Sequence, residues 1–154
     1  MSIVHMPEAI SGLVGMILEG TDEATQHAAG ALAHLAVNEE AEFIIAHSDG
    51  VIEALASLLA NGGEAAKEEA AAALENLSYS VDSAMLVAQT DGVITGLALL
   101  LHTAKGKGIE KAIGTLQNLA AMANCRVEIA SAPRALMGIS SVLWNGSPRV
   151  QVSA

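Results

Sequence analysis

The sequence predicts an all-α fold, a solenoid of stacked three-helix units, and three observations predict it. Three aliphatic ladders keep one step of forty-two residues without an insertion: Ile10, Ile52 and Ile94; Leu13, Leu55 and Leu97; Leu32, Leu74 and Leu116. The turn signal Asp49-Gly50 returns as Asp91-Gly92 at that same step. Alanine and leucine dominate while aromatics make up only 2%, a composition that suits closely packed helices and disfavours strands. A fixed period of this length marks an array in which each unit buries its apolar face against its neighbours.

In chain order, predicted helices at 8–18 and 22–38 are the second and third of a first unit. A full triplet follows: a short helix at 39–47 ended by Gly50, a second at 51–60 broken by Asn61-Gly62-Gly63, and a third at 64–79. The third carries a core stripe at Ala66, Ala70, Ala73, Leu74 and Leu77, spaced by three and four residues, with Lys67, Glu68 and Glu75 expected in water. The next triplet reads 83–89, 93–102 and 109–122, with its break over 103–108. One period after Asp91-Gly92 stands Pro133-Arg134, where proline blocks helix continuation. The chain is thus expected to be a single domain, 1–154, of about three and a half units: 8–50, 51–92, 93–134 and a truncated fourth at 135–154. Neither end carries an evident polar cap, since Leu13, Met16, Ile17, Met137, Ile139, Val142, Leu143 and Trp144 would lack a covering unit. A fragment of a longer array or an end-to-end homo-oligomer is expected on that ground.

Composition narrows the function classes. The 154 residues are 52% hydrophobic with a mean hydropathy of +0.45, ample for a core. The longest apolar run, within 92–101, is too short for a membrane span, so no membrane partner is expected. The lone cysteine, Cys125, forms no internal disulfide, and residues 1–20 lack the basic start of a secretory signal; the expected compartment is the cytosol or nucleus. The net charge of −10 is unevenly spread. Residues 1–100 hold fifteen acids against Lys67, and residues 101–154 hold two acids against six bases. So acidic a chain disfavours nucleic acid and favours a basic or mixed-charge partner.

The residues that carry a family resemblance are Gly50-Val51-Ile52-Glu53-Ala54-Leu55 through Leu58-Leu59, then Ala70 through Leu74-Glu75-Asn76-Leu77-Ser78. They recur as Gly92-Val93-Ile94 with Thr115-Leu116-Gln117-Asn118-Leu119-Ala120. This pattern, over nearly the whole chain, resembles the armadillo repeat. The resemblance implies a right-handed superhelix whose third helices line a groove for an extended peptide, and a non-catalytic interaction module. It further implies that Asn76 and Asn118 hold the peptide backbone, a task for which a carboxamide can both donate and accept. His34 takes that position in the first unit, and Glu69 and Lys111, with His27, take the groove edge. Nuclear-import members place a tryptophan four residues before the asparagine, where this chain has Gly30, Ala72 and Gly114, so the aromatic half of that site is absent.

Blander readings stand beside these. Asn76 and Asn118 can equally cap or bridge neighbouring turns, and Glu69 and Lys111 can be solvated helix charges. His27, His34 and His47 lack the spacing of a helical zinc site, and no metal or cofactor is expected. Cys125 has no histidine in a recognisable partner position, and Gly62-Gly63 and Gly106-Lys107-Gly108 lack the strand–glycine–lysine context of a phosphate loop. Catalysis is not expected, because nothing combines nucleophile, base and orienting group. Self-assembly through the ends is the alternative to peptide binding.

Overall fold

The computed structural model describes residues 5–121, and the features expected at Met122, Cys125, Pro133 and in the fourth unit lie outside them. Within that span the order is α1 (Met6–Glu19), α2 (Asp22–Leu35), α3 (Glu39–Ala46), α4 (Val51–Asn61), α5 (Glu64–Asn76), α6 (Val81–Gln89), α7 (Val93–Thr103) and α8 (Lys107–Ala120). Helices α3–α4–α5 and α6–α7–α8 are two full triplets, and α1–α2 is the second and third helix of the unit before them. Among the described residues there are no strands.

The same local chemistry recurs at the same step. Asn38 and Ser80 cap α3 and α6, each side-chain oxygen accepting from the N–H three residues on. At the other end of each short helix, the hydroxyls of Ser48 and Thr90 donate to the carbonyls of Ile44 and Leu86, at 2.6 and 2.7 Å. The chain then turns by 81° into the next helix in both units. Gly50 and Gly92 make that turn at φ +80° and +89°, in the left-handed region that a Cβ disfavours.

All three ladders run inward. Ile10, Ile52 and Ile94, with Leu55, Leu97, Leu32, Leu74 and Leu116, are buried, and Leu13 packs partly buried against them. The predicted stripe of α5 is wholly buried, as is Ala71 beside it. Small side chains there let the third helices approach one another, and among the described helices the contacts of α2 with α5 and of α5 with α8 are the most extensive.

Three expectations need correction. The third helices were expected to run to 38 and 79, but α2 ends at Leu35 and α5 at Asn76. Asn38 and Ser80 must adopt extended backbone, with ψ of 131° and 152°, to cap the following helix, and that forces the earlier stop. Glu75 was placed in water, yet its side chain keeps only 15% exposure, held by a cation from the next unit. Ile17 was counted as uncovered at the first end but is 4% exposed, which leaves Met16 and Leu18 as the exposed large apolar side chains of α1.

Gly92 isolates the backbone term, because a Cβ there would meet nothing closer than Ala56 Cβ at 3.8 Å. Gly92→Ala should therefore lower stability by about 1–2 kcal/mol, the left-handed penalty alone. Urea unfolding followed by circular dichroism measures it, and an unchanged midpoint would show that the turn does not need glycine.

Candidate functional site

The third helices α2, α5 and α8 lie side by side, and their last turns generate the first element of the site. At the end of α2, Val37 N–H turns to the carbonyl of His34 rather than of Ala33, leaving Ala33 without its own-helix partner. Asn76 Nδ2 from the next unit donates to that carbonyl at 2.8 Å. One period on, Asn118 Nδ2 donates to the carbonyl of Glu75 at 3.4 Å and to Ser78 Oγ at 3.1 Å. Both bonds span the same forty-three-residue step. The two asparagines are half-buried; Asn118 Nδ2 gives both of its N–H groups to the preceding unit, whereas Asn76 Nδ2 gives one and keeps the other. His34 is exposed and donates from Nδ1 to the carbonyl of Gly30 at 2.8 Å, so Nε2 is its outward-facing atom.

Along the same row runs a second ladder, in which carboxylates fill the space left by missing side chains. Glu69 of α5 lies against Gly30 of α2, where a Cβ would sit 3.3 Å from its Oε2. At Gly114 of α8 a Cβ would collide with the carboxylate of Glu75, which comes from the preceding unit. Lys111 Nζ sits 3.1 Å from Glu75 Oε1, and Thr115 Oγ1 donates to the carbonyls of Lys111 and of Ala71, at 2.8 and 3.3 Å. Lys111 is thus neutralised within the protein. Glu69, half-buried at the equivalent position, has no ion-pair or hydrogen-bond partner among the described residues. Ala72, between the two glycines in the repeat, is half-buried against the core.

All the residues proposed from sequence, His34, Asn76, Asn118, Glu69, Lys111, Ala72 and Gly114, therefore lie on the row of third helices. Sequence reasoning missed Glu75, Ser78 and Thr115. Thr115 was findable, because 111, 115 and 118 form a stripe on α8 at spacings of four and three. Among the described residues no three His, Cys, Asp or Glu side chains converge on a metal position.

No family model matches the sequence, and no curated protein matches it. Solved structures do. A crystal structure of an engineered protein superposes with a TM-score of 0.84 at 27% identity, over 93% of this chain and 59% of that one. Computationally designed armadillo repeat proteins for modular peptide recognition superpose with a TM-score of 0.84 at 23% identity, over 93% of this chain and 60% of theirs. A designed armadillo repeat protein in complex with the peptide (KR)4 gives 0.82 at 23%, again over 93% and 60%. The chain spans about three fifths of the length of the solved structures it matches. Its fold is an armadillo-like repeat solenoid.

The carboxylate cradle predicts a difference between two glycines in helix interiors. At Gly12 a Cβ would meet nothing within 4 Å. Gly12→Ala should stabilise by about 0.5–1 kcal/mol through backbone entropy. Gly114→Ala should gain less, by the fraction of a kcal/mol lost when Glu75 swings away from Lys111. Equal gains in urea midpoints would show that Glu75 does not occupy that space.

Proposed function

We propose that this chain is a non-catalytic interaction module that holds an extended, basic or mixed-charge peptide along the row of α2, α5 and α8. The observation that carries the reading is Glu69, a half-buried carboxylate at the groove edge whose counterpart charge, Lys111, is matched internally while Glu69 is not. The Glu69 carboxylate is free of internal partners among the described residues and reachable from solvent, so a cationic ligand side chain can form a charge-assisted bond with it. Asn76 and Asn118 contribute Oδ1 acceptors for ligand N–H groups at a constant step. Helices that pack about 8–10 Å apart match two to three residues of an extended chain at about 3.3–3.6 Å each. The designed armadillo protein that binds (KR)4 supports a cationic ligand for a groove of this fold.

The test is fluorescence anisotropy with a labelled octapeptide of alternating lysine and arginine. Binding should be saturable and should weaken with added salt. Glu69→Gln should weaken it about tenfold, as expected for the loss of a charge-assisted bond. No saturable binding below about 1 mM, or full affinity in a natively helical Glu69→Gln, would overturn the reading.

A further inference from the structure

A second surface lies where the short helices α3 and α6 pack against each other. Four of the six exposed large apolar side chains among the described residues fall here or just ahead of it: Val37, Phe43, Tyr79 and Val81, at 76%, 53%, 67% and 57% exposure. Between the two helices runs a groove of about 620 Å³ with Phe43, Ile44 and Val81 in its lining. Glu39, Glu40 and Asp82 line it as well, all exposed, and no basic residue does.

The groove is organised before any partner arrives. The Phe43 ring stacks on His47 at a centroid distance of 4.1 Å, and His47 Nδ1 donates to the Phe43 carbonyl at 2.8 Å, so the aromatic face is fixed in place. Across the groove, Ser80 Oγ donates to Glu42 Oε1 at 3.2 Å, joining the two helices, with Glu42 only 6% exposed. First-turn acids on α3 and α6 satisfy the helix dipole and account for some of the charge. They do not account for leaving phenylalanine and valine in water beside them. The other full triplet lets that contrast be read inside the molecule: the position of Val81 is Glu39 one period earlier, and that of Phe43 is Met85 one period later.

We infer that the α3–α6 groove is a docking site for a partner-protein segment that carries one or two bulky aliphatic residues flanked by lysine or arginine. The apolar residues enter between Phe43, Ile44 and Val81, and the flanking cations meet Glu39, Glu40 and Asp82. Charge complementarity decides the occupant. A groove with four acids and no base repels acidic segments and a second copy of its own acidic helices, and an apolar floor gives a purely polar cation little to bury. The site shares no residue with the α2–α5–α8 row, so it stands or falls independently of the peptide-binding reading above.

The test uses the full chain and three labelled hexapeptides, Lys-Lys-Leu-Leu-Lys-Lys, Lys-Lys-Ser-Ser-Lys-Lys and Glu-Glu-Leu-Leu-Glu-Glu, titrated by fluorescence anisotropy. The lysine–leucine peptide should bind at least about tenfold tighter than the lysine–serine one, the difference that burying leucine confers, and the acidic peptide should not bind. The double variant Phe43→Ser/Val81→Ser changes only exposed side chains and should keep native helicity while losing that preference. Introduced on a Glu69→Gln background, where binding of cations at the third-helix row is weakened, the double variant should still remove the preference. Equal binding of the two lysine peptides, or an unchanged preference in the double variant, would overturn the proposal. So would a dimer in sedimentation that the double variant dissolves, because the occupant would then be a second copy of this chain.

Discussion

The bond from an asparagine side chain to the carbonyl forty-three residues upstream is the constraint on which the rest of the structure depends. It exists because each third helix must stop early so that Asn38 or Ser80 can cap the short helix that follows. Stopping leaves the Ala33 carbonyl without its own-helix partner until Asn76 reaches back to it, while Asn118 adds a longer bond to the Glu75 carbonyl, which Ser78 already meets from within its own unit. The donor and acceptor belong to different units, so the bond forms only when the units stack in register. Helix capping within a unit and alignment between units are one chemical arrangement.

That arrangement also sets what the groove can offer. Asn118 Nδ2 is committed to Glu75 and Ser78, which leaves its oxygen as the open polar atom, whereas Asn76, with one N–H bonded to Ala33, keeps both donor and acceptor capacity. The glycines at 30 and 114 follow a similar logic. Where an aromatic side chain would stand in a nuclear-import groove, this chain gives the volume to Glu69 and Glu75. The groove edge is built from charge, and one of its two carboxylates, Glu75, is already matched by Lys111.

Much of the fold was legible because its signals are local and repeated. Gly50 and Gly92 declare a left-handed turn, the aliphatic ladders declare the buried face, and the constant step declares the stacking. The ends of the third helices were not legible, because alanine-rich sequence carries no stop signal of its own. The stop is imposed by the cap of the next element, and Asn38 reads equally well as a last helical residue or as a first cap. Of the site, the row of residues was legible and their roles were not. Whether Glu75 is solvated depends on Lys111 and Gly114, thirty-six and thirty-nine residues later, and no short-range pattern on α5 contains that information.

Comparison between units separates what stacking demands from what it leaves free. Buried positions keep their character at each step, as in Leu32, Leu74 and Leu116, because each meets the same neighbours. The groove edge changes from His27 to Glu69 to Lys111, and the short-helix edge changes from Glu39 to Val81 and from Phe43 to Met85. The turn from the short helix into the second is 81° in both full triplets, so these differences leave that turn unchanged. Apart from Met85, which packs against the core, these positions lie exposed or half-exposed, where a repeat array can vary without disturbing its stacking. The unmatched Glu69 and the exposed Phe43 and Val81 belong to this variable set, on two different rows of helices. On the proposed reading as an interaction module, selectivity would reside in these few residues, carried by a scaffold whose interior repeats.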